Sequence, residues 1–186
     1  AGGSGLYILD VTNKSNMYMV SQTSYSGLDY CHQAWLSEDR QYIYINDELD
    51  YIAETRVIQV SDINNPVEVN SFGWGANSID HNLYIKGNIL YEANYTSGLR
   101  VFDLGADPIN PPMIAYFDTY PSNNGESFNG LWSCFPFFES GTVLGSDIER
   151  GLFVWEIGIP DPCDDPLGSC SDDVDGNGIV GVSDIL

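Results

Sequence analysis

Basic residues are scarce in this chain. Its 186 residues include six Lys and Arg against 27 Asp and Glu, a formal charge of −21. That balance argues against nucleic acid as a partner, because phosphate binding needs a basic surface. Anionic membrane surfaces are disfavoured for the same reason. Long apolar runs are also missing, and no stretch approaches the roughly 20 residues that span a bilayer as a helix. His occurs twice and Cys four times. No nucleophile–base set and no phosphate-cradling glycine loop stands out. Ala1 to Gly5 lack a Met, a basic region and an apolar core, so they do not read as a signal peptide. The chain reads as a mature product or as a piece of a longer one.

Acidic residues are plentiful, and divalent cations are their natural counterpart. Tyr (12), Phe (8), Trp (4) and Gly (19) are abundant. Aromatics separated by glycine turns favour strands. Ile79 to Asp103 reads as three strands. His81-Asn82 opens the first, Lys86-Gly87-Asn88 turns into the second, and Asn94 to Gly98 turns into the third.

The same plan recurs along the chain. Gly5 to Val11 aligns with Glu54 to Val60, with Gly98 to Leu104 and with Gly151 to Ile157. The period is about 45–50 residues with strands of about five, which predicts β-propeller blades. The expected fold is therefore all-β: about three to four blades over residues 1–157, a linker over 158–171 and a calcium-binding tail over 172–186. Closed propellers need at least about four blades, so the set is incomplete. Its unpaired edges, Gly5 to Val11 or Leu152 to Ile157, invite self-association or a second protein chain.

Two columns of polar residues follow from the repeats. His32, His81 and Asn129 head the innermost strands and are expected as a ring at one mouth of the central channel. Asp47, Asn94 and Asp147 follow the second strands and are expected in loops leaning toward the next blade. The two His with Asp47, Glu48 or Asp80 suit a transition metal. The plainer account is that the ring ties loop backbones together, as buried polar groups do. Asp47, Glu48 and Asp50 offer paired carboxylates of the kind used in glycoside cleavage, or simply a solvated acidic loop. Trp35, Trp74 and Trp132 suit glycan stacking or core packing, and packing is favoured.

The tail Asp173 to Asp184 matches a calcium loop. Asp173, Asp175, Asn177 and Asp184 supply side-chain oxygens and Ile179 its carbonyl, with Gly178 at the sharp turn. Cys163 and Cys170 bracket a Pro/Asp/Gly/Ser segment and are expected to pair in an oxidising compartment. Cys31 and Cys134 sit among aromatics, either bonded or as buried thiols. Asn13 and Asn94 head glycosylation sequons.

Cys31 to Asp39, Asn46 to Asp50, Ile79 to Tyr84, Ala93 to Arg100, Tyr116 to Pro121, Phe128 to Ser133 and Gly151 to Val154 together resemble the secreted bacterial choice-of-anchor B proteins, built from LVIVD-type propeller repeats. The resemblance spans roughly residues 5–157 and implies the C-terminal part of a propeller outside the cell. Cys31 and Cys134 depart from the family's residues, and that both are cysteines favours a bond between them. The tail is similar to the first calcium loop of a dockerin. No enzymatic activity carries over. The expectation is a non-catalytic, calcium-stabilised structural, adhesive or fibre-forming protein. A secreted hydrolase or metal-dependent enzyme with its site at the channel mouth is the alternative.

Overall fold

A computed structural model describes residues 3–50 and 52–158. Among the described residues there are 13 strands and no helix. Ala1–Trp155 and Glu156–Leu186 are two separate units of the chain. The linker cysteines Cys163 and Cys170 and the calcium-loop residues Asp173, Asp175, Asn177, Ile179 and Asp184 lie outside the described residues.

The strands form four antiparallel sheets, each a simple meander. The first holds β1 (Leu6–Asp10) and β2 (Tyr18–Thr23). The second holds β3 (Cys31–Leu36), β4 (Tyr42–Asp47), β5 (Glu54–Gln59) and β6 (Val67–Gly73). The third holds β7 (Asn82–Lys86), β8 (Ile89–Ala93), β9 (Leu99–Asp103) and β10 (Met113–Phe117). The fourth holds β11 (Leu131–Phe135), β12 (Thr142–Asp147) and β13 (Gly151–Glu156). The repeats read from the sequence thus each become one sheet.

Period-two alternation explains the packing. On β4, Tyr42 and Tyr44 join a cluster with Val57 and Phe72 and with Leu83, Ile85, Leu90 and Phe102 of the third sheet. Ile43 and Ile45 point the opposite way, into a cluster with Leu6, Tyr25, Cys31, Ile58 and Val60. The second sheet is therefore apolar on both faces and covered on both. Each fully buried side chain of this size contributes about 1.5–3 kcal/mol.

The first strands of the second, third and fourth sheets lie side by side. β3 lies against β7, and β11 against β7 and β8. Tyr95, at φ +39°, pairs with Leu131 through both backbone hydrogen bonds, 3.1 and 2.9 Å. Gly130 has φ +86°, and a Cβ there would meet the Tyr95 carbonyl oxygen at 2.4 Å, so only glycine allows this approach. This seam fixes the position of Tyr95.

Candidate metal centre

Three register marks define equivalent positions on β3, β7 and β11. Gln33 pairs with Asn46, Asn82 with Ala93 and Ser133 with Ser146. The residue just before each is His32, His81 and Trp132. His32 and Trp132 both sit at register breaks, between Cys31 and Gln33 and between Leu131 and Ser133. Trp132 therefore holds the third place in the column, where the repeats by eye put Asn129. Asn129 instead donates to the Glu149 carboxylate.

The column is tied together through main-chain carbonyls. His32 Nδ1 lies 3.1 Å from the His81 carbonyl oxygen, and His81 Nδ1 lies 2.6 Å from that of Trp132. A carbonyl only accepts, so each Nδ1 carries the proton. In the neutral rings each Nε2 then carries an unprotonated lone pair. Burial holds the His81 pKa below its usual value, and the adjacent His32 ring adds to this, so the neutral form is favoured. The Trp132 indole N–H donates to His81 Nε2 at 3.2 Å, as that tautomer requires.

Both Nε2 atoms face Glu48, which enters from the loop after β4. Glu48 Oε1 is 3.5 Å from His81 Nε2, and Oε2 is 3.9 Å from His32 Nε2. The Tyr95 hydroxyl donates to Oε1 at 2.8 Å, and burial together with this bond pushes the phenol pKa up, so it stays protonated. Side-chain exposure is 28% for His32, 15% for Glu48 and 4% for His81.

These residues have the chemistry of a transition-metal site. The three ligand atoms lie within 4.8 Å of one another. Ligand bonds of about 2.0–2.1 Å in a tetrahedron set ligand atoms about 3.3–3.4 Å apart, close to the His81–Glu48 separation. Imidazoles whose second nitrogen donates to a carbonyl are the usual arrangement around a metal. The two rings are stacked, with centroids 4.2 Å apart and planes 22° apart. An ion shared by both Nε2 atoms requires one ring to tilt, and His32 is the more exposed.

The other sequence candidates are engaged elsewhere. Asp47 accepts from the Tyr25 hydroxyl and from the backbone N–H groups of Asp29 and Tyr30, at 2.6–2.9 Å. Asp147 accepts from the N–H of Glu149 and of Arg150, at 3.0 and 2.8 Å. Asp147 braces its own turn, and Asp47 ties the end of β4 to the segment before β3. Asp50 pairs with Arg56 at 2.7 Å. Asp80 accepts from Asn46 at 2.8 Å inside a buried polar cluster with Glu92, Thr55 and Asn94. Asn94 is buried against Glu92, so its sequon is closed to a glycan, whereas Asn13 is exposed. Trp35 packs on the core between the second and third sheets, and Arg100 lies 4.0 Å over the Trp74 ring.

Cys31 and Cys134 are both free and buried, so of the two alternatives the structure has the buried thiols and not the bond that the resemblance favoured. Cys31 packs between the first and second sheets, while Cys134 on β11 approaches the Tyr91 carbonyl at 3.7 Å. Each fills a separate part of the core. Sequence reasoning missed Tyr95 and gave Trp132 another role, glycan stacking or core packing, whereas its ring is exposed beside His81. Tyr95 had a signal, since it follows directly on the Asn94 column.

No family model and no curated protein matches this sequence. Its fold is similar to that of a functionally unknown protein from Desulfotomaculum acetoxidans, with a TM-score of 0.59 and 13% identity over 80% of this chain and 46% of that one. It is also similar to the computationally designed Ika4 protein, with a TM-score of 0.50 and 12% identity over 76% and 74% of the two chains. The chain thus spans under half the length of the Desulfotomaculum protein. At these identities the likeness is one of fold alone.

Proposed function

We propose that this chain is a sector of an extracellular β-propeller with a structural or adhesive role, pinned at its inner strands by one divalent transition-metal ion on His32, Glu48 and His81. The observation that carries the metal is the fixing of both Nδ1–H groups on carbonyls, which turns both Nε2 lone pairs toward one carboxylate. The propeller reading is supported by four consecutive antiparallel sheets, one per repeat, with the first strands of the last three side by side. Assembly is supported by the large apolar side chains left exposed on the outermost strands. These include Leu9, Tyr18 and Met19 on the first sheet and Leu152 and Val154 on β13. The chain joins further blades or a partner protein through those edges. Calcium in the tail and a place outside the cell rest on the sequence pattern and the family resemblance.

A metal-dependent hydrolase is the second reading. Three protein ligands are the number that catalytic zinc sites use, with a fourth position open to water.

Calorimetric titration of chelator-treated protein with zinc or cobalt, in excess calcium to occupy the tail, tests the metal. One equivalent should bind, and His81→Ala or Glu48→Gln should weaken it by at least about 100-fold. No binding in excess calcium, or unchanged binding in both variants, would overturn the reading. Ester or glycoside turnover that tracks the bound metal would favour the hydrolase.

A further inference from the structure

The first sheet packs on the second as the second packs on the third, residue for residue. Gln33 and Asn82 hold one position on β3 and β7, so Ala34 answers to Leu83 and Leu36 to Ile85. Across the strands, Ile43 answers to Leu90 and Ile58 to Phe102. Ala34, Ile43, Ile58 and Val60 cluster with Leu6 and Ile8 of β1. Leu83, Leu90, Phe102 and Leu104 cluster in the same way with Val57 of β5. β1 and β5 also break register at matching places, after Ile8 and after Val57. β1 is therefore the counterpart of the third strand, β5. The first sheet has no counterpart of β3 and β4 among the described residues.

That difference leaves two marks on the second sheet. Ile85 and Leu90 are buried in one cluster with Trp35, Tyr42 and Tyr44 of β3 and β4. Their counterparts have no such cover: Leu36 is 43% exposed and Ile43 only half-buried. The second mark is polar. Side chains of β3 bond main-chain carbonyls of β7, His32 Nδ1 that of His81 and Gln33 Nε2 that of Leu83 at 2.6 Å. Side chains of β7 do the same to β11, His81 and Asn82 both meeting the Trp132 carbonyl. The matching carbonyls on β3 belong to His32 and Ala34, on a strand that pairs with β4 alone.

We infer that β1 and β3 receive a β-hairpin donated by another protein chain. One strand of it pairs with the free edge of β1 and the other lies along β3, completing the first sheet to four strands. The strand along β3 opens on two side-chain donors, imidazole or amide, for the His32 and Ala34 carbonyls. Both strands carry aromatics to cover Leu36 and Ile43. A second copy of this chain does not offer such a hairpin. Its β3–β4 and β7–β8 pairs are held inside four-stranded sheets, and β11 presents Trp132 and Ser133 where the donor pair belongs. The inference rests on the reading of the sheet edges as assembly surfaces.

A synthetic peptide copying residues 30–47, with Cys31→Ser, has the donor pair His32-Gln33 and the aromatics Trp35, Tyr42 and Tyr44, and serves as the probe. Labelled peptide titrated with the full chain should give a saturating rise in fluorescence anisotropy. Hydrogen exchange in β1 should slow on binding, and that in β13 should not change. Alanine at both donor positions of the peptide should weaken binding at least about tenfold. Leu36→Ser in the chain should weaken it comparably, and Leu152→Ser on β13 should leave it unchanged. Far-UV circular dichroism checks that both variants are folded. No binding at millimolar peptide, or protection of β13 in place of β1, overturns the donated hairpin. Self-association that persists in sedimentation would then leave the assembly reading standing, and a monomer would remove both. Dimers lost on Leu36→Ser would put a second copy on this face and overturn the foreign hairpin.

Discussion

The second and fourth sheets start from the same repeat and end in different surroundings. The second is covered on both faces, by the first sheet on one side and the third on the other. Tyr44, Ile45, Val57 and Ile58 are fully buried there. The fourth meets the third sheet through β11, and its far strand β13 exposes Leu152 and Val154 by 67% and 62%. The apolar pattern is alike in both, so the difference lies in what is packed against it. A sheet's sequence states which faces are to be covered and not whether a cover is at hand.

The strongest way to break this comparison is truncation of matched apolar residues. Phe102→Ala, in the cluster shared by the second and third sheets, should cost about 3–5 kcal/mol of unfolding free energy in urea. Leu152→Ala on β13 should change it by no more than about 0.5 kcal/mol. Equal losses would mean that β13 is covered after all.

A smaller effect comes from the polar cluster at the heart of the inner sheets. Burial is the main cause holding the Glu92 pKa above its ordinary value, against hydrogen bonds from Thr55, Asn46 and Asn94 that lower it. A raised folded pKa means that the folded state keeps a proton the unfolded state releases. Stability from this group is then complete below the unfolded pKa, about 4.3, and is lost as pH rises through the higher folded value. Glu92→Gln lacks that loss. Its melting temperature relative to the parent should climb between pH 4 and pH 7, and a constant gap would sink the assignment.

The finest comparison uses the two buried thiols. Burial pushes the Cys134 thiol pKa up, so neither thiol-specific reagents nor oxidants should reach it without local opening. Cys31 lies between two sheets and Cys134 in the more exposed fourth. Cys134 should label at least about tenfold faster, equivalent to an opening free energy lower by about 1.4 kcal/mol. Mass spectrometry of partly labelled protein separates the two sites, and the reverse order would invert the ranking of the sheets.

Much of the fold was legible because strands announce themselves locally. Tyr42-Ile43-Tyr44-Ile45 alternates, and Lys86-Gly87-Asn88 turns where β7 meets β8, with Gly87 at φ +58°. The site was only half legible. His32 and His81 stood out because they are the only two His and fall one repeat apart. Asn129 was matched to them because an aromatic stands three residues on in each case, Trp35, Tyr84 and Trp132. The strand pairing instead sets Phe135 level with Trp35 and Tyr84, and Trp132 level with the two His. Glu48 was one of three carboxylates that fitted, and only the fold separates it from Asp47, one residue away, which turns onto the segment leading into β3.

The Nδ1 atoms of this column hold on to main chain. A grip of that kind is blind to what the neighbouring residue is. The position it grips can therefore change identity from one repeat to the next, His in one and Trp in another, and the sheets still dock. Divergence at the inner strands costs the architecture little, and a string of near-identical units is left free to acquire one chemically distinct junction.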